Sequence, residues 1–117
     1  MHGNGHVLVV DDDSSLRLLC RVNLELDGFA VSEAPTLDDA REMVASGAID
    51  AVLLDVHVGH ENGIELLDEL SRDRPALPVI LLTGESGLPD EARGRAAAVL
   101  SKPFEVRELA ATVARLL

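Results

Sequence analysis

Four polar sites in this sequence lie at the ends of short, mainly apolar runs, and together they could carry phosphoryl-transfer chemistry. They are the acidic run Asp11-Asp12-Asp13, then Asp55, Thr83 and Lys102. Carboxylates are ligands that Mg²⁺ prefers, and a carboxylate can also act as a nucleophile that forms an aspartyl phosphate. A lysine and a hydroxyl can bind the oxygens of a phosphoryl group during its transfer.

Each of these residues has an ordinary explanation when it is taken alone. The acidic run could be a solvated turn that caps a helix, and Asp55 could be a strand-end residue that meets water. Thr83 and Lys102 could be a strand-end threonine and a surface lysine. The combination is more specific, because each group follows a different predicted strand and the carboxyl ends of parallel strands share one edge of a sheet.

The apolar runs alternate with helical patterns along the whole chain. Strands are predicted at residues 6–10, 29–33, 51–54, 79–82 and 98–101, and helices at about 15–27, 36–47, 62–72, 90–96 and 105–116. In the first helix, we expect Leu16, Leu19, Cys20 and Leu24 to face inward. Right-handed crossovers between these units predict a doubly wound parallel α/β sheet with helices on both faces.

Composition limits the class of protein. The chain has 117 residues, enough for one domain spanning 1–117, and a formal net charge of −11. This charge argues against direct nucleic-acid binding and suits a cation or a basic partner surface. No apolar run is long enough for a membrane span and the N-terminus is no signal peptide, so we expect a cytoplasmic protein without membrane contact. The one cysteine, Cys20, predicts packing and no internal disulfide.

Four motifs resemble, in order, those of response-regulator receiver domains of two-component signalling. They are VLVVDDD at 7–13, LLDVHVGHENGIELL at 53–67, PVILLTG at 78–84 and LSKPF at 100–104. The resemblance covers nearly the whole chain. It implies a flavodoxin-like fold whose five strands have the order 2-1-3-4-5.

The resemblance also implies a role for each site residue. Asp11 and Asp12 would be the acidic pair that binds Mg²⁺, with Asp12 the more direct ligand. Asp55 would be the phosphoacceptor and a further metal ligand, and the backbone carbonyl of His57 would complete the protein ligands. Thr83 would be the switch hydroxyl and Lys102 the lysine that binds the phosphoryl group.

By the same resemblance, the phosphoryl group would come from a sensor histidine kinase or a phosphotransfer protein. The domain would catalyse transfer to its own Asp55 and later hydrolysis, rather than act as a turnover enzyme. The predicted helix at 90–96, strand at 98–101 and helix at 105–116 would form the surface for an output domain, a partner protein or a homodimer. Because the chain ends with that last helix, the sequence predicts either a stand-alone receiver or one taken from a larger regulator or hybrid kinase.

Some positions depart from the family pattern. Gly59 stands where the family often has proline, and Val99 stands where it has an aromatic switch residue. The stretch between Thr83 and Lys102 is shorter than usual, so the fourth helix should be truncated or distorted. The resemblance further implies a cis Lys102–Pro103 bond. It also places His57 and Glu85 along the path of the hydrolytic water.

Two other classes stay open at this point. Asp11-x-Asp13-x-Ser15 also resembles the nucleophile motif of haloacid-dehalogenase-type phosphatases, in which Asp11 would be the nucleophile. Thr83 and Lys102 would then be that family's hydroxyl and lysine. No acidic pair follows Lys102, however, and there is no room for a cap domain. The third class is a receiver-like docking module that is never phosphorylated.

Overall fold

The computed structural model describes residues 5–84 and 88–117. In these residues a parallel sheet is formed by β1 (His6–Val10), β2 (Ala30–Ala34), β3 (Ala51–Asp55), β4 (Val79–Thr83) and β5 (Ala98–Ser101). The strand order is β2-β1-β3-β4-β5, and all neighbouring pairs run parallel. The predicted doubly wound sheet and its order are confirmed.

Helices cover both faces of this sheet. They are α1 (Ser14–Leu26), α2 (Leu37–Ala45), α3 (Gly63–Asp73), α4 (Asp90–Arg95) and α5 (Val106–Leu116). Buried side chains from α1 and α5 form one core with the sheet, and those from α2, α3 and α4 form the other. The six residues of α4 agree with the truncation that the short spacing predicts.

The central strands are buried on both faces, which explains their uninterrupted apolar runs. All five residues of β3 and all five of β4 are buried. Successive side chains in a strand point to opposite faces, so Leu53 joins the core under α1 and α5, while Val52 and Leu54 join the other. The edge strand β2 is more polar and mostly half-buried, as its alternating sequence predicts.

Side chains at helix starts decide where the chain turns out of the sheet. Asp13 caps α1 by accepting hydrogen bonds from the backbone N–H groups of Ser15 and Leu16. The Thr36 side chain caps α2 by accepting the N–H of Asp39, and the Asn62 side chain caps α3 by accepting the N–H of Ile64. Each cap satisfies backbone donors that the first helical turn leaves unpaired. The caps therefore place the helix starts beside the carboxyl edge of the sheet.

Two local features differ from the sequence predictions. Leu19 is 47% exposed and does not face inward, in contrast to Cys20 and Leu24 of the same helix, which are buried. Between β3 and α3 the chain forms a short antiparallel hairpin of His57–Val58 and Glu61–Asn62, which was not predicted. Gly59 turns this hairpin with φ +64, a conformation that residues with a side chain rarely adopt.

Candidate functional site

Three polar side chains are buried at the carboxyl edge of the sheet. Asp11 follows the end of β1 and is 2% exposed, Asp55 ends β3 and is 5% exposed, and Thr83 ends β4 and is 2% exposed. Removing a carboxylate from water is costly unless it is paired, hydrogen-bonded or protonated. Two carboxylates held together at such an edge therefore indicate a site with a function.

Lys102 supplies the positive charge of this site. Its ammonium hydrogen-bonds the Oδ2 atom of Asp55 and lies 3.6 Å from the Oδ2 atom of Asp11. Its backbone N–H donates to the carbonyl of Thr83 at 2.7 Å, which fixes the start of the turn after β5. The Lys102–Pro103 bond is cis, as the family resemblance predicts. The structure thus brings the predicted lysine onto the predicted phosphoacceptor.

Asp11 has an unusual electrostatic environment. Its Oδ1 atom accepts the N–H of Asp13 at 2.9 Å, while Oδ2 is buried without a hydrogen-bond partner among the described residues. Burial, then the close approach and charge of the Asp55 carboxyl group, raise the pKa of Asp11 from 3.8 to about 7, against the opposing effects of the Asp13 N–H and Lys102. In the absence of a cation, this carboxyl group therefore keeps its proton close to neutral pH.

The neighbouring charges also act on Lys102. Burial lowers the pKa of its ammonium, but the hydrogen bond and charge of Asp55, with a smaller effect of Asp11, outweigh burial and raise it. Lys102 is therefore charged throughout the physiological range. A fixed positive charge beside a buried carboxylate is the arrangement needed to receive the oxygens of a phosphoryl group.

The other two predicted metal ligands, Asp12 and His57, lie beside Asp11 and Asp55. Asp12 is exposed in the turn between β1 and α1. His57 donates its backbone N–H to the Oδ1 atom of Asp55 at 2.8 Å, and the residue is exposed. Glu85 lies outside the described residues. Within residues 5–84 and 88–117, no three acidic, histidine or cysteine side chains already converge as a metal cluster.

The donors nevertheless suit a hard divalent cation. The buried Oδ2 atom of Asp11 lacks a hydrogen-bond partner among the residues described, and it faces the Lys102 ammonium beside Asp55. Carboxylate and carbonyl oxygens are the ligands that Mg²⁺ prefers. The exposed Asp12 leaves one side of the acidic pair open to solvent, where a hydrated ion could approach.

Two residues that the sequence predictions did not place in the site lie directly against it. A Cβ atom at Gly63 would come within 2.1 Å of the Asp55 backbone carbonyl, so this position has no room for a side chain. Arg17 donates from Nη1 to the Asp11 carbonyl at 2.7 Å. The sequence marks Gly63 only as a break before α3 and Arg17 only as a polar position of α1, so neither contact could be read from it.

Comparisons with known proteins agree with this geometry. Residues 7–114 match the family model of the response regulator receiver domain. The chain is 33% identical over 112 residues to YkoG of Bacillus subtilis, an uncharacterized transcriptional regulatory protein, with 93% of this chain and 49% of that protein covered. It is 35% identical over 114 residues to the response regulator MprA of Mycobacterium ulcerans, with 95% and 49% covered. The chain thus spans about half the length of the curated relatives it matches.

A solved structure extends the similarity to the fold. The response regulator TrrA of Thermotoga maritima, in complex with Mg²⁺-BeF, superimposes with a TM-score of 0.89 at 29% identity, covering 97% of this chain and 100% of that one.

Among the described helices, none has the length and hydropathy that crossing a membrane requires. The family match also sets aside the haloacid-dehalogenase interpretation of Asp11. The chain belongs to the response regulator receiver domain family.

Proposed function

We propose that Asp55 accepts a phosphoryl group from a phosphohistidine and that residues 1–117 act as one receiver domain. The observation that carries this proposal is the Lys102 ammonium on Asp55 Oδ2, inside a buried site that a second carboxylate, Asp11, shares. An ammonium group held at this place can release the Asp55 carboxylate and bind a phosphoryl oxygen instead.

The transfer is a displacement at phosphorus. A carboxylate oxygen of Asp55 forms the new bond to phosphorus, the bond from phosphorus to the imidazole nitrogen breaks, and the neutral imidazole leaves after taking a proton. Lys102 exchanges its bond with Asp55 Oδ2 for one with a phosphoryl oxygen. The hydroxyl of Thr83, buried at the end of the neighbouring strand β4, would bind a second phosphoryl oxygen.

Mg²⁺ is the cofactor that suits the acidic side of the site. Asp11, Asp12 and Asp55 would hold it through carboxylate oxygens, and His57 through its backbone carbonyl. When bound, the ion supplies positive charge that offsets the crowded carboxylates and the incoming phosphoryl oxygens. Two observations support this assignment: Oδ2 of Asp11 is buried without a hydrogen-bond partner in the described chain, and the similar structure of TrrA contains Mg²⁺-BeF.

Intact-mass spectrometry after incubation with acetyl phosphate tests the acceptor. We expect one phosphoryl adduct on the wild type that requires Mg²⁺, and none on Asp55→Asn. Lys102→Met should fold and label far more slowly. A label that persists in Asp55→Asn would refute the acceptor, and a wild type that never labels would favour the docking-module interpretation.

An apolar surface beside the site suits the protein that donates the phosphoryl group. Four residues of α1 expose 46–76% of their surface, namely Leu18, Leu19, Val22 and Leu26. Leu19 also lines a groove of about 300 Å³ with Leu16, Pro103 and Phe104, next to Lys102. A phosphohistidine must reach Asp55 through the carboxyl edge, so its carrier has to cover this surface. We therefore infer that a histidine kinase or phosphotransfer protein packs an apolar helix face here.

Substitution within this apolar surface separates docking from chemistry. Leu19→Ser should slow phosphoryl transfer from the histidine kinases of the same genome by about tenfold, the cost of roughly 1.4 kcal/mol of contact. The same variant should label with acetyl phosphate as fast as the wild type. Equal slowing with both donors would mean that the substitution disturbs the site itself and would refute docking on this surface.

Receiver domains pass their signal to output domains or partner proteins, and we place that output near α4, β5 and α5. The short helix α4 is joined to α3 by an ion pair between Arg95 and Asp68. Val99, in place of an aromatic residue, is half-buried and packs against the core under α4. A homodimer through α4, β5 and α5 stays a prediction, which light scattering of the phosphorylated protein would test.

A further inference from the structure

Arg17 on α1 makes a contact with the acidic pair that the proposed chemistry does not yet explain. Its Nη1 atom donates to the backbone carbonyl of Asp11 at 2.7 Å, and its Nε atom donates to Glu33 Oε1 at 3.1 Å. The Arg17 side chain is only 15% exposed, so the guanidinium is held between the turn and the edge strand β2. A mostly buried arginine with two such partners has little freedom to move.

The Asp11 carbonyl belongs to the peptide that joins Asp11 to Asp12. Its orientation decides the directions in which the two carboxylates leave the turn. The other side of Asp11 is also fixed, because its N–H donates to the carbonyl of Ala34 at 3.2 Å. The sheet thus anchors the N–H of Asp11, and Arg17 holds the carbonyl of the peptide that follows.

We propose that Arg17 is a positioning residue that orients the Asp11–Asp12 peptide so that both carboxylates can hold the same divalent cation. This inference rests on the proposed Mg²⁺ site and adds a residue to it. Arg17 does not touch the cation or the phosphoryl group. It acts only through the backbone of the turn.

Charge and geometry predict opposite effects for the loss of this guanidinium. A positive charge near a cation site repels the cation, so removing it would tighten Mg²⁺ binding if charge were all that mattered. Loss of the bond to the Asp11 carbonyl frees the turn and should weaken binding. Because Glu33 pairs with Arg17 and offsets its charge, we expect the geometric effect to prevail.

The same helix provides a matched control. Arg21 also binds Glu33, with 3.1 Å between its Nη1 atom and Glu33 Oε2, and it pairs with Glu25. Its contacts in the described chain do not include the Asp11 carbonyl, and its side chain is 45% exposed. Arg21→Met thus removes one positive charge from the same network and leaves the turn intact, whereas Arg17→Met removes both the charge and the carbonyl contact.

Isothermal titration of folded protein with Mg²⁺, at a temperature well below melting, measures the difference. We expect Arg17→Met to raise the Mg²⁺ dissociation constant by roughly tenfold, and Arg21→Met to leave it unchanged or slightly lowered. Arg17→Lys keeps the charge but cannot make both bonds, so it should bind Mg²⁺ almost as weakly as Arg17→Met. Circular dichroism checks that each variant is folded at that temperature. If Arg17→Met is not folded, Arg17→Lys replaces it in the comparison.

The outcomes separate this inference from the proposed function. Equal dissociation constants for the wild type and Arg17→Met, or tighter binding by Arg17→Met, would overturn the positioning role and leave the metal site intact. Full recovery of affinity in Arg17→Lys would assign the effect to charge and would also overturn it. If the wild type itself does not bind Mg²⁺, the metal site is wrong and the role of Arg17 falls with it.

Discussion

Gly63 offers a direct test of how closely α3 must approach β3, the strand that ends in Asp55. In Gly63→Ala, the added Cβ atom would lie 2.1 Å from the carbonyl oxygen of Asp55 and 3.3 Å from Cα of Val56. Both neighbours are backbone atoms, which cannot move aside by changing a rotamer. The Gly63 N–H also donates to the carbonyl of Val56 at 2.7 Å, so the whole start of α3 is pinned against the end of β3.

The size of the effect follows from this distance. Ordinary van der Waals contact for a Cβ atom begins near 3.4 Å, so the Asp55 carbonyl or the helix start must retreat by more than 1 Å. Overpacking of a rigid site costs about 1–3 kcal/mol, and the helix propensity gained from alanine returns less than about 1 kcal/mol. We expect Gly63→Ala to lose roughly 2 kcal/mol of unfolding free energy. Because a displacement of about 1 Å can cost about 100-fold in rate, acetyl phosphate labelling should also slow strongly.

Gly94 in α4 is the matched control for this substitution. A Cβ atom there meets nothing within 4 Å among the described residues. Gly94→Ala should therefore gain up to about 1 kcal/mol and label at the wild-type rate. Since the chain has no tryptophan and no tyrosine, urea unfolding is best followed by far-UV circular dichroism. If Gly63→Ala were as stable as the wild type and labelled equally fast, the close approach of α3 to Asp55 would be wrong.

Three further predictions concern charge and capping. The raised pKa of Asp11, about 7 in the folded protein and 3.8 otherwise, means that the folded state binds the extra proton between these values. Stability without cation should therefore fall by about 2 kcal/mol from about pH 5.5 to 8, and urea unfolding in EDTA should show no such loss for Asp11→Asn. Mg²⁺ binds the ionised carboxylate, so a saturating concentration should abolish this loss of stability. In EDTA, wild-type and Asp11→Asn curves of stability against pH that run parallel would contradict the assignment. Asn62→Ala removes the cap of α3 and should cost about 1 kcal/mol in the same assay. Glu69→Gln breaks the ion pair that Arg41 makes between α2 and α3 and should cost less than about 1 kcal/mol, with the difference vanishing at about 1 M salt.

The sequence was sufficient for the fold because its patterns come from local rules. The apolar runs of β3 and β4 read as strands buried on both faces, and Asp13, Thr36 and Asn62 stand where helices begin. The alternation of these elements admits few topologies, since parallel crossovers are right-handed. The same rules place Asp11, Asp55, Thr83 and Lys102 at one edge of the sheet.

Exposure on helix surfaces could not be read in this way. Leu19 fits the inward pattern of α1, yet it is 47% exposed. Helical periodicity describes one helix, whereas the width of the buried face depends on how its neighbours are placed. The hairpin after β3 was missed for a similar reason, since two-residue strands are too short to show any period.

The sequence pattern by itself determined the alternation of strands and helices, the carboxyl edge and the residue types that meet there, while the family resemblance supplied the strand order. Only the tertiary structure decided that the Lys102 ammonium bonds Asp55 and that Asp11 has a buried oxygen without a hydrogen-bond partner in the described chain. It also decided that Gly63 and Arg17 contact the backbone of the site. The physical reason is that the hydrophobic pattern of a helix or strand reflects which of its own faces meets water and which meets the core. Distances, desolvation and close approach depend on elements that are far apart in the chain and meet only after folding.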